Sequence, residues 1–471
     1  MIDLKSLTIE KVHESLSKGE YSVTDLVTEY LKVIEEKNKN INAYLEVYDD
    51  VFAQAKHAEE MFKNGTATLM TGIPVALKDN MLFDGHIASA SSKILEKYVA
   101  TYDSGVVKYL KKQGVVFIGR TNMDEFAMGS STENSAYGVT LNPINPDYVP
   151  GGSSGGSASS VAMDGALVSL GSDTGGSIRQ PAAFTGLVGL KPTYGAVSRF
   201  GIIAMASSLD QVGTLSKNVS DTQILFEAMN DYDSMDSTSV KKENRTSPTP
   251  LKKKIGIPQS FLAGGGINEE VLANFNVSCE KLKNAGYELV DISLPLIKYS
   301  LAVYYIIMPA EVSSNLARLD GIRYGLSVEA DKLFDVYAKS RGQGFGKEVR
   351  RRILLGTYIL SHGYYDAYYN NAVKVRNAIK AELVSAFLSV DVIITPSSPF
   401  PPFKFGEKTN DPIAMYMSDL FTVPANIAGI PAISIPSGTT NDGLPLGLHI
   451  MAPYFREDIL FTIGKDFEKL I

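Results

Sequence analysis

Apolar positions recur three and four residues apart in the first part of the chain. Leu26, Tyr30, Leu31 and Ile34 mark one helical face, and Ser22 with Asp25 three residues on fits a capping box at its start. A second helical stretch runs from about 49 to 63 and stops at the turn signal Asn64-Gly65. From Thr71 the texture changes. Short apolar runs at 73–77 and 115–119 flank a helical stretch at Val106–Leu110, which predicts strand, helix, strand, and so a sheet with helices packed on it. Residues 148–215 are rich in Gly, Ser and Ala but are interrupted by Val161, Met163, Leu167, Val168 and Leu170. That mixture predicts tight packing and close backbone approach rather than a flexible tract. Residues 231–254 show no apolar period and read as an exposed loop or hinge. Helical spacing returns over 267–290 and 310–388, and 392–395, 432–435 and 448–451 read as further strands.

Composition narrows this picture. Of 471 residues, 44% are apolar and 21% charged, as in an average soluble globular protein. The net charge of −7 argues against a chain built as a whole to grip nucleic acid, whose phosphates call for a basic face. One cysteine, Cys279, excludes an intrachain disulfide and suits a reducing compartment. It lies in an amphipathic helical stretch, where an ordinary packing role explains it. No secretory signal and no membrane-spanning run is read, so a cytoplasmic location is expected.

Several chemistries lack their residues. His13, His57, His86, His362 and His449 show no metal-ligand spacing, and no G-x-x-x-x-G-K-[ST] run occurs. The one G-x-S-x-G match, Gly151–Gly155, follows no apolar strand and so lacks the setting of a nucleophile elbow. What stands out is serine within glycine nests, in Gly151–Ser157 and in Asp173–Arg179. Glycines beside a serine let successive backbone N–H groups point at one spot, as an oxyanion requires. One such donor is worth roughly 2.7–4 kcal/mol of barrier. A serine also needs a base. With no good histidine, a lysine must serve, and Lys78 at the end of the run 73–77 is placed for it. At its ordinary pKa it is protonated and useless as a base; burial favours the neutral amine. A salt bridge to the adjacent Asp79 is the rival reading of that lysine.

Three ordered blocks then coincide: Gly72–Asn80, Gly151–Ser157 and Asp173–Ala182, with Ser153 75 positions after Lys78 and Ser177 24 positions after Ser153. In these blocks the chain resembles the amidase signature family. The resemblance implies Ser177 as nucleophile, Ser153 as a bridging serine on a cis peptide, and Lys78 as terminal base. It implies an oxyanion hole from the backbone around Thr174, Gly175 and Gly176. It also implies a single α/β domain over 1–471 with a central mixed β-sheet covered by helices on both sides. Within that domain it expects N-terminal helices over 1–65, a catalytic core over about 66–215, and a helical region over about 300–385 above the site.

Along nearly its whole length the chain is similar to the glutamine-hydrolysing A subunits of tRNA-dependent amidotransferases. The stretches Thr121–Ser135, Lys191–Gly195, Ser207–Gln211, Pro309–Gly321 and Gly344–Val349 carry this likeness. It implies glutamine as substrate, B and C subunits as partners in a heterotrimer, and no cofactor in this chain. ATP, Mg²⁺ and the misacylated tRNA are expected mainly on the partner B subunit. Glutamine brings an α-carboxylate and an α-ammonium, so its site needs one cation and one anion. The likeness puts Arg352 on the carboxylate, Asp419 on the ammonium and Tyr304 on the pocket wall. Spacing alone does not choose among Arg350, Arg351 and Arg352, or between Tyr304 and Tyr305. Departures from the family pattern are Met308, where a small residue is usual and a narrowed pocket wall is expected, and Thr185, where cysteine is common and only packing changes. The stretch 236–254 is typical only over Asp236–Ser239. A stand-alone amidase on small amides is the rival within the same chemistry, and a non-catalytic scaffold protein the rival outside it.

Overall fold

The structure is a computed structural model that describes residues 2–246, 249–264, 266–409 and 411–471. The chain opens with helices Ile9–Lys18, Val23–Ile41 and Val51–Lys63. The Ser22–Asp25 capping box is formed in both directions, and Leu26, Tyr30 and Ile34 lie buried along one face as their spacing predicts. Between the second and third helices a short strand, β1 (Tyr44–Val47), breaks what the sequence pattern reads as all helix. Four residues are too few to show a period, and this strand takes its shape from pairing with β3 (Val116–Thr121).

Among the described residues all eleven strands join one sheet. In chain order the others are β2 (Pro74–Lys78), β4 (Val168–Asp173), β5 (Val188–Lys191), β6 (Gln211–Ser216), β7 (Lys254–Ile257), β8 (Glu288–Asp291), β9 (Val392–Pro396), β10 (Ala432–Thr439) and β11 (Pro445–Met451). Their spatial order is β1-β3-β2-β4-β6-β5-β10-β11-β9-β7-β8. β3, β2 and β4 are parallel, as are β9, β7 and β8, and the remaining pairings are antiparallel. The fold is therefore α/β with a mixed central sheet, as expected. Every residue of β2, β3, β4 and β9 is buried, because helices cover both faces and no solvent side is left to be polar.

The pattern missed β4 to β8. β4 reads Val-Ser-Leu-Gly-Ser-Asp, where small polar residues fill a fully buried strand and hide its apolar period. The stretch 267–290 proves to be a helix, Glu269–Asn284, followed by β8. Among its described residues the region 231–254 has a single short turn of helix at Lys242–Asn244 before β7. It is nonetheless anchored, since Arg199 N–H donates to Asp236 and Val240 N–H to Gly195 O. Residues 247 and 248 of that expected loop lie outside the described residues.

Between β8 and β9 the chain forms helices Ser300–Asn315, Leu333–Gly344, Lys347–Ile359 and Asn371–Ala386. The first and third pack along each other and bring Tyr304, Met308 and Arg352 to one place. No helix among the described residues is long and apolar enough to cross a membrane.

Candidate active site

Lys78 is the last residue of β2, and Asp173 is the last residue of the adjacent parallel strand β4. Open α/β sheets bind ligands beyond such carboxyl ends. Ser153 sits on the loop leading into helix Gly155–Ala162, and Ser177 on the loop between β4 and helix Arg179–Thr185. Lys78 and Ser153 are fully buried, whereas Ser177 keeps 8% exposure and faces the site.

The Lys78 amine lies 2.8 Å from Ser153 Oγ, 2.8 Å from Ser154 Oγ, 2.9 Å from Ser172 Oγ and 3.2 Å from Ser172 O. Asn80 Nδ2 donates to the same Ser172 hydroxyl. The salt bridge to Asp79 does not form, because Asp79 pairs instead with Arg120 at 3.1 Å and with Ser89 and Ser91. Complete burial lowers the Lys78 pKa from its ordinary value to about 7, against the pull of Asp124, Asp173 and Asp210. A buried lysine ringed by neutral oxygens holds a usable lone pair near neutrality.

The Gly152–Ser153 peptide is cis. Just before it, Gly152 N–H donates to Gln180 Oε1, and just after it Ser153 O accepts from Asp124 N–H. The nucleophile loop has its own brace. Arg179 grips Asp173 through two nitrogens at 3.0 and 2.9 Å, and also reaches Thr422 O, Asn426 and His449. Burial alone would raise the Asp173 pKa, yet the Arg179 guanidinium holds that carboxyl well below its usual range. Such a pair, bidentate and fully hydrogen-bonded, suits a rigid support. Thr174 Oγ1 donates to Asp210, and Thr422 Oγ1 donates to Gly175 O.

Among the described residues the backbone N–H groups of Thr174, Gly175 and Gly176 donate to no other protein group. Gly176 has φ of +148°, and a Cβ there would lie 2.3 Å from Thr422 Oγ1, so only glycine fits this turn. Ser177 Oγ makes no hydrogen bond among the described residues, so the Lys78–Ser153 contact is formed and a Ser153–Ser177 contact is not.

The three remaining candidates converge on the same loop. A Cβ at Gly175 would lie 2.8 Å from the Tyr304 hydroxyl, and one at Gly176 would lie 3.2 Å from Asp419 Oδ1. Asp419 Oδ2 accepts from Ser130 Oγ at 2.6 Å, while Oδ1 is buried without a partner. Burial pushes this carboxyl up to about 7. Burial also separates the three arginines: Arg350 is exposed, Arg351 half-buried and Arg352 buried. Arg352 donates from Nε to Glu348 at 2.7 Å and from Nη2 to Gly129 O at 2.8 Å, and Nη1 meets Met308 Sδ at 3.7 Å. Burial works against its charge, but Glu348 together with Tyr305, Tyr416 and Tyr304 outweighs it and keeps the guanidinium protonated. Of the two tyrosines, Tyr304 touches the Ser177 loop, and Tyr305 stacks on Tyr416 beneath Arg352. Met308 therefore bears on the guanidinium rather than simply narrowing a wall. Thr185 is buried and donates to Pro181 O, a local packing role.

Sequence reasoning missed the supports: Ser154, Ser172, Asn80, Asp124, Ser130, Asp210 and the Asp173–Arg179 brace. For the brace a signal existed, namely opposite charges flanking a glycine turn. For the hydroxyls and for Asn80 there was none, since their neighbours come from distant parts of the chain.

A family model described as Amidase matches residues 25–461. The chain is 50% identical over 475 residues to the A subunit of glutamyl-tRNA(Gln) amidotransferase from Caldanaerobacter subterraneus subsp. tengcongensis, covering 99% of this chain and 97% of the relative. It superposes on the crystal structure of the A subunit of glutamyl-tRNA(Gln) amidotransferase from Thermotoga maritima with a TM-score of 0.82 at 39% identity, over 100% of this chain and 96% of that one. A crystal structure described as an amidase matches with a TM-score of 0.83 at 27% identity, over 98% of this chain and 99% of that one.

Proposed function

The chain belongs to the amidase family, and from that premise we propose that it hydrolyses the side-chain amide of glutamine as the ammonia-supplying subunit of a tRNA-dependent amidotransferase. The observation that carries this reading is the buried Lys78 amine on Ser153 Oγ at 2.8 Å, hydrogen-bonded to neutral groups alone. Protons there can be counted. Ser154 Oγ–H donates to Ser172 O, so Ser154 Oγ must accept from Lys78. A neutral amine has two N–H donors; one goes to Ser154 and one to Ser172. Its lone pair is then left for the Ser153 hydroxyl.

Ser177 Oγ attacks the amide carbon while its proton passes to Ser153 and that of Ser153 passes to Lys78. Backbone N–H groups of Thr174, Gly175 and Gly176 hold the oxyanion. The proton returns along the same path to the departing nitrogen, which leaves as ammonia, and a γ-glutamyl ester remains on Ser177. Water then attacks the ester by the same route, giving glutamate and free Ser177. Catalytic hydrogen bonds tighten as substrate binds, and Ser153–Ser177 is the contact this scheme requires to close. Arg352 takes the α-carboxylate, the unpartnered Oδ1 of Asp419 takes the α-ammonium, and Tyr304 forms the wall beside Gly175.

The likeness to these amidotransferase relatives supports B and C subunits as partners, with ATP, Mg²⁺ and misacylated tRNA mainly on the B subunit, in the cytoplasm, and this chain folded as one unit over 1–471. The test is ammonia release from glutamine by the purified chain, alone and with those partners, tRNA and ATP. Release that rises with the partners and disappears in Ser177→Ala is the expected result. Rapid release from simple amides by the chain alone would replace this reading with a stand-alone amidase.

A further inference from the structure

Glu125 is a buried carboxyl that the scheme above leaves unused. It follows Asp124, whose N–H donates to Ser153 O. It also opens the segment whose Gly129 O accepts from Arg352 and whose Ser130 Oγ donates to Asp419. Its own contacts point the other way, into the helical cover. Gly346 N–H donates to Glu125 Oε2 at 2.8 Å, and Ser92 Oγ meets Glu125 Oε1 and, at 3.1 Å, Gly344 O. Gly346 is the N-cap of helix Lys347–Ile359, which carries Glu348 and Arg352. A Cβ on Gly346 would fall 2.3 Å from Glu125 Oε2, so the missing side chain is what lets the carboxyl reach the helix start.

Proton counting favours the neutral form of this carboxyl. Ser92 has one hydroxyl proton and faces two groups that, with Glu125 ionised, both only accept. One contact would then be left empty inside a dry core. With Glu125 neutral, its O–H donates to Ser92 Oγ, the Ser92 proton goes to Gly344 O, and Gly346 N–H still meets Oε2. Every contact is filled. Among the described residues Glu125 joins no ion pair, Arg350 is the charge acting on it, and burial pushes it up to about 7.

We propose that Glu125 is a positioning residue, held as a neutral acid, that latches the start of helix Lys347–Ile359 and so sets the guanidinium of Arg352 against the substrate carboxylate. This rests on Arg352 binding that carboxylate, as proposed above. Glutamine is the probe, with a simple primary amide lacking the α-carboxylate as control, on the full chain with its partners wherever the full rate needs them. Glu125→Gln reproduces a neutral acid, with its NH₂ toward Ser92, and is expected to leave KM within about twofold of the parent. Glu125→Ala is expected to raise KM for glutamine roughly tenfold with kcat little changed, and to leave the simple amide unaffected. In an Arg352→Ala background Glu125→Ala should add nothing. Where Glu125→Ala does not fold, Glu125→Asp, which withdraws the carboxyl from Gly346, is read the same way. Glu125→Gln as damaging as Glu125→Ala overturns the neutral latch. So does an Ala effect that is equal on both substrates or persists without Arg352. If Arg352→Ala raises KM and Glu125→Ala does not, this inference alone fails. If Arg352→Ala leaves KM unchanged, the recognition reading falls first and takes the latch with it.

Discussion

Around Lys78 the protein surrounds a potential charge with three serine hydroxyls and a carbonyl and supplies no bonded carboxylate. Around Arg352, on the helix above, it supplies one: Glu348 at 2.7 Å, with Tyr305 and Tyr416 under the guanidinium. Both cations are buried, yet their titration moves in opposite directions, Lys78 down and Arg352 up. Desolvation is common to the two, so the partner decides. A base has to lose its proton near neutrality, and an anion-binding group must never lose it. The lower region is therefore a proton path and the upper one a set of fixed charges. Damage to the first should appear in kcat and damage to the second in KM.

The largest effect is expected from Lys78→Met, which keeps an apolar stem of similar length and removes the amine. Loss of a general base should lower kcat by roughly 10³-fold or more, with KM little changed. A mutant that turns over glutamine at the parental rate would show that some other group takes the proton.

The pH profile separates the two regions next. Lys78 must be neutral to act, and its pKa is lowered to about 7, so kcat rises as pH increases through that value. Asp419 must be ionised to hold an ammonium, and burial raises it to about 7, so its contribution also rises with pH. The signs agree, and the acid limb of kcat/KM for glutamine should approach a slope of two. A simple amide without an α-ammonium should show a slope of one. Equal slopes for both substrates would remove Asp419 from recognition.

Within the upper region Arg352→Lys retains the charge and loses the planar fork. Bonds between charged groups are worth about 1.5–3 kcal/mol, so KM for glutamine should rise roughly 10- to 100-fold while kcat on a simple amide holds. A matching fall in both substrates would point to collapse of the helix rather than loss of recognition.

The sequence showed these two regions unequally. The lower one was legible because its reacting groups lie in three short blocks with fixed intervals, and Lys78 ends an apolar run that reads as a strand. Even there β4 was hidden, since Ser169, Gly171 and Ser172 give a strand no apolar period. Its supports were hidden too: Ser130 lies 289 residues from Asp419, and no local pattern joins them. In the upper region helical spacing was plain, but which arginine faces inward was not. Arg350, Arg351 and Arg352 point about 100° apart around one helix, and tertiary packing against helix Ser300–Asn315, Gly129 and Tyr416 buries the third. Glu125 was legible as a residue of the resembling stretch and illegible as a latch, because its partners Ser92 and Gly346 lie 33 and 221 residues away.

The smallest effect is expected at Met308, and it tests how completely the upper charges are fixed. Its sulfur lies 3.7 Å from Arg352 Nη1, and its side chain is fully buried. A thioether is a weak acceptor, and Glu348 and Gly129 already hold the guanidinium through its other nitrogens. The sulfur therefore does not aim Arg352; it occupies a donor that an incoming carboxylate can use better. Met308→Leu keeps the volume of the core, at a stability cost of less than about 1.5 kcal/mol, and removes that competitor. A weak contact of this kind is worth about 0.5 kcal/mol, so KM for glutamine should fall about twofold. A rise in KM at unchanged melting temperature would mean that the sulfur helps to orient the guanidinium, and that Arg352 depends on a weak partner as well as on its carboxylate.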